Sequence, residues 1–392
     1  MKKTLIISIG IICILVAAAV WIYLLFFGAP EQSDDVFTNL GIGGGDASVQ
    51  VPTNQGEDAS TEDTVTPIAA SKDALRQLTL KPVAGFGFVG SSSDLIRYAE
   101  RGTGHVFEIN VANGTEKRIS GTTIPRVVDA VFEESGTSVV LIAENGYQRD
   151  IVAGYINEEE NTIDLINLPT NSFDPKFTSD SVLRYAVVTD SGTDGFELDI
   201  NANTPSKLFS IPLRDATFIW SEETYAYNKP SAVLQGSLYH IDQSTLTPKT
   251  SGAFGFVGGV NDAYYFSSAI VKGESKSYAT ARATEARTEL AVMFMPEKCV
   301  PDKTTTNLLW CASQLSLPDA LFIDNWYKGA VQSEDFLWLV DIENGVAELL
   351  SDFLDESGRL IDVNKIEIDQ SGTSPIFRNK IDNTLWLYDT EA

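Results

Sequence analysis

The feature that most constrains the fold is a short stretch that occurs twice. The letters FGFVG occupy residues 86–90 and return at residues 254–258, a separation of 168, which is four times 42. Segments of strand, turn and strand recur at about this period, and the first strand of each ends at Asn110, Asn157, Asp199, Asp242, Thr284, Asp341 and Asp389. Four short strands in about 40–45 residues are typical of a β-propeller blade. The sequence therefore predicts an all-β fold, a β-propeller of about seven blades.

The last repeat is one strand short, because the sequence stops at Ala392, directly after the letters LWLYDTE. A blade left open in this way would present an unpaired, hydrophobic sheet edge. The start of the domain offers the missing strand, since Leu75–Leu80 resembles the segment that precedes the next blade. We expect Leu75–Leu80 to be the outer strand of the last blade and to close a propeller domain of residues 73–392.

Gly85, Gly87 and Gly90 also match the Gly-x-Gly-x-x-Gly fingerprint of dinucleotide-binding proteins. That fingerprint requires a helix after the last glycine. The letters DLIRYAE that follow here are typical of a strand, and the downstream copy has Ala253 in place of the first glycine. We therefore predict no nucleotide binding. The glycines are interpreted as turns or close backbone approaches between strands.

Residues 4–27 predict a transmembrane signal anchor. These 24 residues carry no charge, and a helix of that length spans a hydrocarbon core of about 30 Å. The flanking positive charges, Lys2 and Lys3, predict that residues 1–3 are a cytoplasmic stub and that the rest is extracytoplasmic. A cleaved signal peptide is the alternative. It is disfavoured because the small residues 17–19 lie in the middle of the apolar stretch.

The segment that follows is predicted to be a disordered acidic linker, residues 28–72. Residues 28–70 hold eight acidic residues and no basic ones, too little apolar surface to offset the entropy of ordering the chain. The whole chain has a net charge of −26. Because a surface this acidic repels phosphate backbones, nucleic-acid binding is excluded.

The repeat pattern resembles periplasmic TolB-like and WD40-like propellers, although the Gly-His and Trp-Asp signatures of WD40 repeats are missing. The chain is more specifically similar to a group of membrane-anchored propeller-like proteins of small-genome bacteria. The matching stretches are LIRYAERGTGHVFEIN, RISGTTIPR, PEKC…LLWCA and WYKG…LWLVDIENG. That group has no assigned activity, so the resemblance implies a fold and a membrane location and no function.

Cys299 and Cys311 are predicted to form a disulfide. They lie in a hairpin-like insertion that accounts for the long gap of 57 residues between two of the repeats, and they are placed outside the membrane. A redox pair is the alternative, but no Cys-x-x-Cys motif or basic neighbour indicates a lowered thiol pKa. With two histidines and three cysteines in the chain, a zinc site of the usual kind is excluded, and no cofactor is predicted.

Trp326 and Tyr327 are the candidate binding residues. Exposed aromatic side chains in the irregular segment DNWYKG would suit a protein or glycan partner. The alternative is that they pack between blades. Asp190, Asp194 and Glu197 have a loose similarity to a calcium loop, but their spacing departs from that motif and favours a simple turn.

Two classes of function remain open. The favoured one is a non-catalytic binding or scaffold module for a protein or glycan of the cell envelope. The alternative is an extracytoplasmic hydrolase or lyase with a carboxylate or calcium site at the channel mouth. Three or more converging carboxylates with shifted pKa values would favour the enzyme. A channel lined by small apolar side chains, beside an exposed aromatic patch, would favour the binding module.

Overall fold

A computed structural model describes residues 73–146, 148–316, 319 and 321–391. In this part of the chain, 29 strands form seven antiparallel sheets, which we call blades 1 to 7. Blade 1 contains β2 (Val83–Phe88), β3 (Leu95–Glu100), β4 (Val106–Asn110) and β5 (Thr115–Ser120). Blade 2 contains β6 (Val127–Phe132), β7 (Ser138–Asn145), β8 (Gln148–Asn157) and β9 (Thr162–Asn167). Blade 3 contains β10 (Ser172–Ser179), β11 (Val182–Thr189), β12 (Gly192–Asp199) and β13 (Thr204–Ile211).

The second half of the ring is less regular. Blade 4 contains β14 (Ala216–Trp220), β15 (Thr224–Asn228), β17 (Leu238–Asp242) and β18 (Thr245–Pro248). Blade 5 contains β19 (Ala253–Val260), β20 (Tyr264–Val271), β21 (Glu274–Ala281) and β22 (Arg287–Leu290), with the short β16 (Gln235–Gly236) added beside β19. Blade 6 contains β23 (Cys299–Pro301), β24 (Leu308–Ser313), β25 (Phe336–Asp341) and β26 (Val346–Asp352). Two short helices accompany blade 6, α1 (Phe322–Tyr327) and α2 (Phe353–Ser357).

Blade 7 closes the ring as the sequence predicts. It contains β27 (Val363–Ile368), β28 (Pro375–Asn379) and β29 (Leu385–Tyr388), and its outer strand is β1 (Leu75–Gln77) from the start of the domain. Leu75 pairs with Tyr388 and Gln77 with Trp386, in antiparallel register. The predicted strand is therefore confirmed, although it ends at Gln77 and not at Leu80.

Hydrophobic packing between the blades explains why the ring is continuous. Seven clusters of buried apolar residues lie in the described part of the chain, one between each pair of neighbouring blades. Valine, isoleucine and aromatic residues dominate the strands, and such side chains pack well on a pleated, half-buried surface. The cluster between blades 7 and 1 joins Ile376 and Leu385 to Val83 and Ile96. The seven-bladed propeller is thus confirmed.

The glycine-rich copies at residues 86–90 and 254–258 belong to the innermost strands of blades 1 and 5 or directly follow them. No helix follows either copy. A Cβ atom on Gly85 would lie 2.0 Å from the backbone oxygen of Ala130 in β6. The glycine therefore allows the innermost strands of neighbouring blades to approach each other closely, which is the interpretation drawn from the sequence.

Cys299 and Cys311 form the predicted disulfide and are direct partners across β23 and β24. The prediction that their hairpin is an insertion is wrong, because these strands are the first two of blade 6. The additional length lies in residues 314–335, between β24 and β25, and contains α1.

The predicted stub, transmembrane anchor and linker, residues 1–3, 4–27 and 28–72, lie outside the described residues. Within residues 73–146, 148–316, 319 and 321–391, no helix combines the length and the apolar character that a membrane crossing requires.

A polar site at the channel mouth

The insertion of blade 6 lies on one face of the ring. Strands in a blade alternate in direction, so the loops before the first strand and those between the second and third strands emerge on the same side. We call this side the upper face. Residues 314–335 join the second and third strands of blade 6 and therefore belong to it. The innermost strands surround the channel, and their first residues lie at its upper mouth.

Trp326 does not belong to an exposed aromatic patch, so the expectation that it is a surface binding residue is corrected. Its side chain is 3% exposed and packs in the cluster between blades 4 and 5 with Phe322 and Ile323 of the same helix. The indole nitrogen, buried with it, donates hydrogen bonds to the two carboxylate oxygens of Asp362, at 2.8 and 3.0 Å. The alternative interpretation, packing between blades, describes this residue.

A buried ionic network lies next to helix α1 and contacts Trp326 through Asp362. Lys298 donates from Nζ to Asp335 and to Asp362 Oδ1, the latter at 2.7 Å, and both carboxylates are fully buried. The backbone amide of Val363 also donates to Asp335 Oδ2, at 2.7 Å. Burial raises the pKa of Asp335, while Lys298 opposes that rise. Because removal of one partner would leave a buried charge uncompensated, this network makes the position of the insertion sensitive to any single change.

Lys380 links the loop of blade 7 to the same helix. Its Nζ donates to the backbone oxygen of Trp326 at 2.7 Å and lies 3.7 Å from the centre of the indole ring. Burial lowers the pKa of Lys380. A cation over an aromatic face is attracted by the ring quadrupole, so Lys380 adds a second attachment of the insertion to the ring.

Tyr327 is the side chain of this segment that reaches the surface, with 37% of its area exposed. Its hydroxyl donates to Glu297 Oε2 at 2.7 Å and interacts with the hydroxyl of Tyr227 from blade 4. Burial raises the pKa of Glu297, and it raises that of Tyr327 well above its usual value. A carboxyl group and two phenols thus form one hydrogen-bonded group at the channel mouth.

Asp174, in the innermost strand of blade 3, is the second carboxylate at this mouth. It is close enough to interact electrostatically with Glu297, and burial raises its pKa. Its Oδ2 accepts a hydrogen bond from the backbone amide of Phe218, at 3.0 Å. In the described part of the chain, Asp174 and Glu297 have no cation within ion-pair distance, whereas Asp335 and Asp362 are paired with Lys298. Neither outcome foreseen from the sequence, three open carboxylates or an apolar channel, describes this arrangement fully.

The side chains that commonly bind metals do not cluster in the described residues. Residues 73–146, 148–316, 319 and 321–391 contain no group of three or more His, Cys, Asp or Glu side chains that could hold an ion. In the loose calcium-loop pattern, Asp194 pairs with Lys207 at 2.8 Å and Glu197 with Arg184 at 2.9 Å. The two carboxylates are thus used by strand-to-strand ion pairs.

Most of the exposed large apolar side chains lie on the upper face. Of the fourteen large hydrophobic side chains exposed in the described part of the chain, ten lie on the upper face: Leu80, Val233, Leu234, Phe254, Leu315, Leu321, Tyr327, Leu354, Leu360 and Ile381. All ten belong to the half of the ring from blade 4 to blade 7. Such a number of exposed apolar side chains on one face is typical of an interaction surface.

Several solved structures are similar to this fold at low sequence identity. An oligogalacturonate lyase in complex with manganese has 10% identity and a TM-score of 0.55, over 83% of this chain and 95% of that one. The β-propeller domain of the Trilobed protease from Pyrococcus furiosus, described as having an open velcro topology, has 9% identity and a TM-score of 0.50, over 79% of this chain and 96% of that one. TolB from Acinetobacter baumannii has 11% identity and a TM-score of 0.37, over 53% and 54%.

These similarities establish the propeller fold and nothing beyond it, and the TolB superposition is too weak to add support. The resemblance of the sequence to known propellers is confirmed at the level of the fold. No protein-family model matches the chain, and no curated protein matches it either.

Proposed function

We propose that this chain is a non-catalytic, protein-binding module of the cell envelope, and that the upper face from blade 4 to blade 7 is its docking surface. The observation that carries the proposal is the concentration of exposed leucine, valine and isoleucine side chains on this face. Aliphatic side chains exposed at loop tips are costly in water, and a partner that covers them recovers that free energy.

The buried network beneath α1 supports the same function. A surface that is rigid before binding loses less conformational entropy when a partner docks. Lys298, Asp335 and Asp362 hold the insertion to the ring, and Lys380 attaches it to blade 7. The insertion therefore presents Leu321 and Tyr327 in a defined position.

The proposed location follows from the sequence. Residues 4–27 would anchor the chain in the cell membrane as a single-pass protein, with the propeller outside the cytoplasm. The partner would then be a protein of the cell envelope.

The docking surface is tested by cross-linking in living cells followed by mass spectrometry. The native chain is compared with the double variant Val233→Asp, Leu321→Asp, which adds two charges to the upper face. The matched control, Tyr155→Asp with Leu165→Asp, adds the same charges to exposed positions of the outer strands of blade 2. We expect a reproducible partner to be lost with the first variant and kept with the control. Equal recovery with both variants would contradict the proposal.

One observation favours a second candidate, an extracytoplasmic hydrolase or lyase. Glu297 has a pKa raised by burial and accepts a hydrogen bond from Tyr327, which suits a proton donor. The test is turnover on a panel of glycans that includes oligogalacturonate, which the lyase of the same fold suggests. Activity that is lost in Glu297→Gln and kept in Glu289→Gln would favour this candidate, and no turnover by the native chain would eliminate it.

A further inference from the structure

A groove of about 820 Å³ lies between blades 4 and 5, on the side of the ring. It exists because the two blades differ in size. The strands β20 and β21 of blade 5 contain eight residues each, whereas β17 and β18 of blade 4 contain five and four. The outer part of the blade 5 sheet is therefore left without a covering strand. Tyr225 of blade 4 and Tyr265 of blade 5 are in edge-to-face contact at the end of the groove that holds Arg282.

The floor of the groove is formed by alternate residues of two paired strands. Tyr265 and Ser267 of β20 lie opposite Thr280 and Tyr278 of β21, so these side chains share one face of the sheet. Arg287 from β22 lies over the ring of Tyr278, 3.5 Å from its centre. The floor thus combines aromatic faces with a guanidinium group.

Cations lie at both ends of the groove. Lys249 and Lys272 line the end at the upper face, and Arg282 and Arg287 line the opposite end. Arg282 pairs with Glu223 of blade 4. In the described part of the chain, the other three basic side chains have no carboxylate within ion-pair distance. Four cations and one carboxylate, Glu285, thus line the groove, in contrast with a net charge of −26 for the whole chain.

The apolar part of the groove lies toward its upper end. Phe254, 40% exposed, lies there with Ile270 and Val271, next to Lys272. At about 3.3 Å per residue, the eight residues of β20 make the groove roughly 25 Å long. Its complement is an elongated ligand with anionic groups at both ends and large apolar groups between them that reach Phe254.

We propose that this groove binds an extended acidic peptide segment of a partner protein. About seven or eight residues would fill its length, with carboxylates at the ends and large apolar side chains against Phe254. Carboxylates pair well with arginine and lysine clusters, and burial of apolar side chains against Phe254 supplies affinity that charge alone does not. An acidic polysaccharide fits less well, because it has no large apolar group to cover Phe254, Ile270 and Val271. The site shares Phe254 with the upper face, but the proposal does not depend on the docking role of that face.

The proposal is tested by fluorescence anisotropy with the full chain and a labelled peptide of sequence DDVFLEE. We expect saturable binding that weakens when the salt is raised, since ion pairs at an exposed groove are screened. The neutral peptide NNVFLQQ should bind at least about tenfold more weakly, a difference of about 1.4 kcal/mol. No binding of DDVFLEE at about 1 mM would overturn the proposal.

Charge reversal assigns the binding to the groove. The variant Lys249→Glu, Arg287→Glu should weaken binding by at least about tenfold, and Lys272→Glu alone by a smaller factor. Lys117→Glu, an exposed position on the outer strand of blade 1, is the matched control and should change binding by less than about twofold. Circular dichroism verifies that each variant is folded. Equal loss with the control would overturn the assignment to the groove, and groove-dependent binding of oligogalacturonate in place of the peptide would overturn the peptide assignment.

Discussion

The two copies of FGFVG occupy equivalent places in the ring and yet differ in the burial of their first phenylalanine. Both begin in the innermost strand of a blade, β2 in blade 1 and β19 in blade 5. In the first copy, Phe86 is fully buried in the cluster between blades 7 and 1. In the second, the matching Phe254 is partly exposed, and it is Phe256 that packs in the core between blades 4 and 5.

A β-bulge explains the difference. Gly255 has a φ of +59°, and the pairing of β19 with β20 shifts in register between Phe254 and Val257. In β2 the shift occurs earlier, between Val83 and Gly85, so Phe86 lies after it. The additional residue displaces Phe254 from the core-facing side, because the side-chain period of a strand is two. Phe256, which is aligned with Phe88, faces the preceding blade as Phe88 does. An identical sequence can thus determine the location of a strand without determining which of its phenylalanines is buried.

The largest expected effect on stability follows from this difference in burial. Phe86→Ala should lower the free energy of unfolding by about 3–5 kcal/mol, because it removes a fully buried aromatic side chain. Phe256→Ala should cost a similar amount. Urea denaturation of the full chain, followed by circular dichroism, measures both. If Phe254→Ala, the residue aligned with Phe86 in sequence, cost as much as Phe256→Ala, the comparison would be wrong.

Much of the fold could be predicted from the sequence because it depends on period and composition. The third strands end at Asn110, Asn157, Asp199 and Asp242, as predicted from the spacing. Closure of blade 7 followed from the cost of an open edge. The location of the insertion in blade 6 could not be obtained in this way, because the spacing gives the length of a repeat and not the loop that is lengthened.

The channel-mouth site was mostly hidden from sequence reasoning. Lys298 is 37 residues from Asp335 and 64 from Asp362, so no local pattern connects them. The one available signal was a lysine directly before a predicted disulfide cysteine, shortly after the apolar residues 292–295. Trp326 and Tyr327 were recognised as a pair, but which one is buried depends on the direction of α1 relative to the ring, and six residues of helix do not reveal that direction.

The glycines of the two copies provide an intermediate test. Gly85→Ala should cost about 3 kcal/mol, because its Cβ would overlap the backbone of Ala130, which cannot move without displacing β6. Gly255→Ala should cost about 1–2 kcal/mol, since the penalty there is the left-handed backbone and the nearest neighbour is the flexible side chain of Ile270 at 3.0 Å. The same denaturation measurement applies. A larger loss at Gly255 would show that the bulge, and not the contact between blades, is the more constrained feature.

The smallest expected effect on stability concerns Phe254. Because its side chain is partly exposed and lies outside the interblade core, Phe254→Ala should change the free energy of unfolding by less than about 0.5 kcal/mol. The same variant should weaken binding of the DDVFLEE peptide by about fivefold or more, since Phe254 is the large exposed apolar side chain of the groove. Phe254→Leu, which keeps apolar surface there, should restore part of the affinity. In the second copy of the motif, the first phenylalanine would then contact a ligand and not the core. Unchanged peptide affinity in Phe254→Ala would contradict that interpretation, although the comparison of packing in the two copies would still hold.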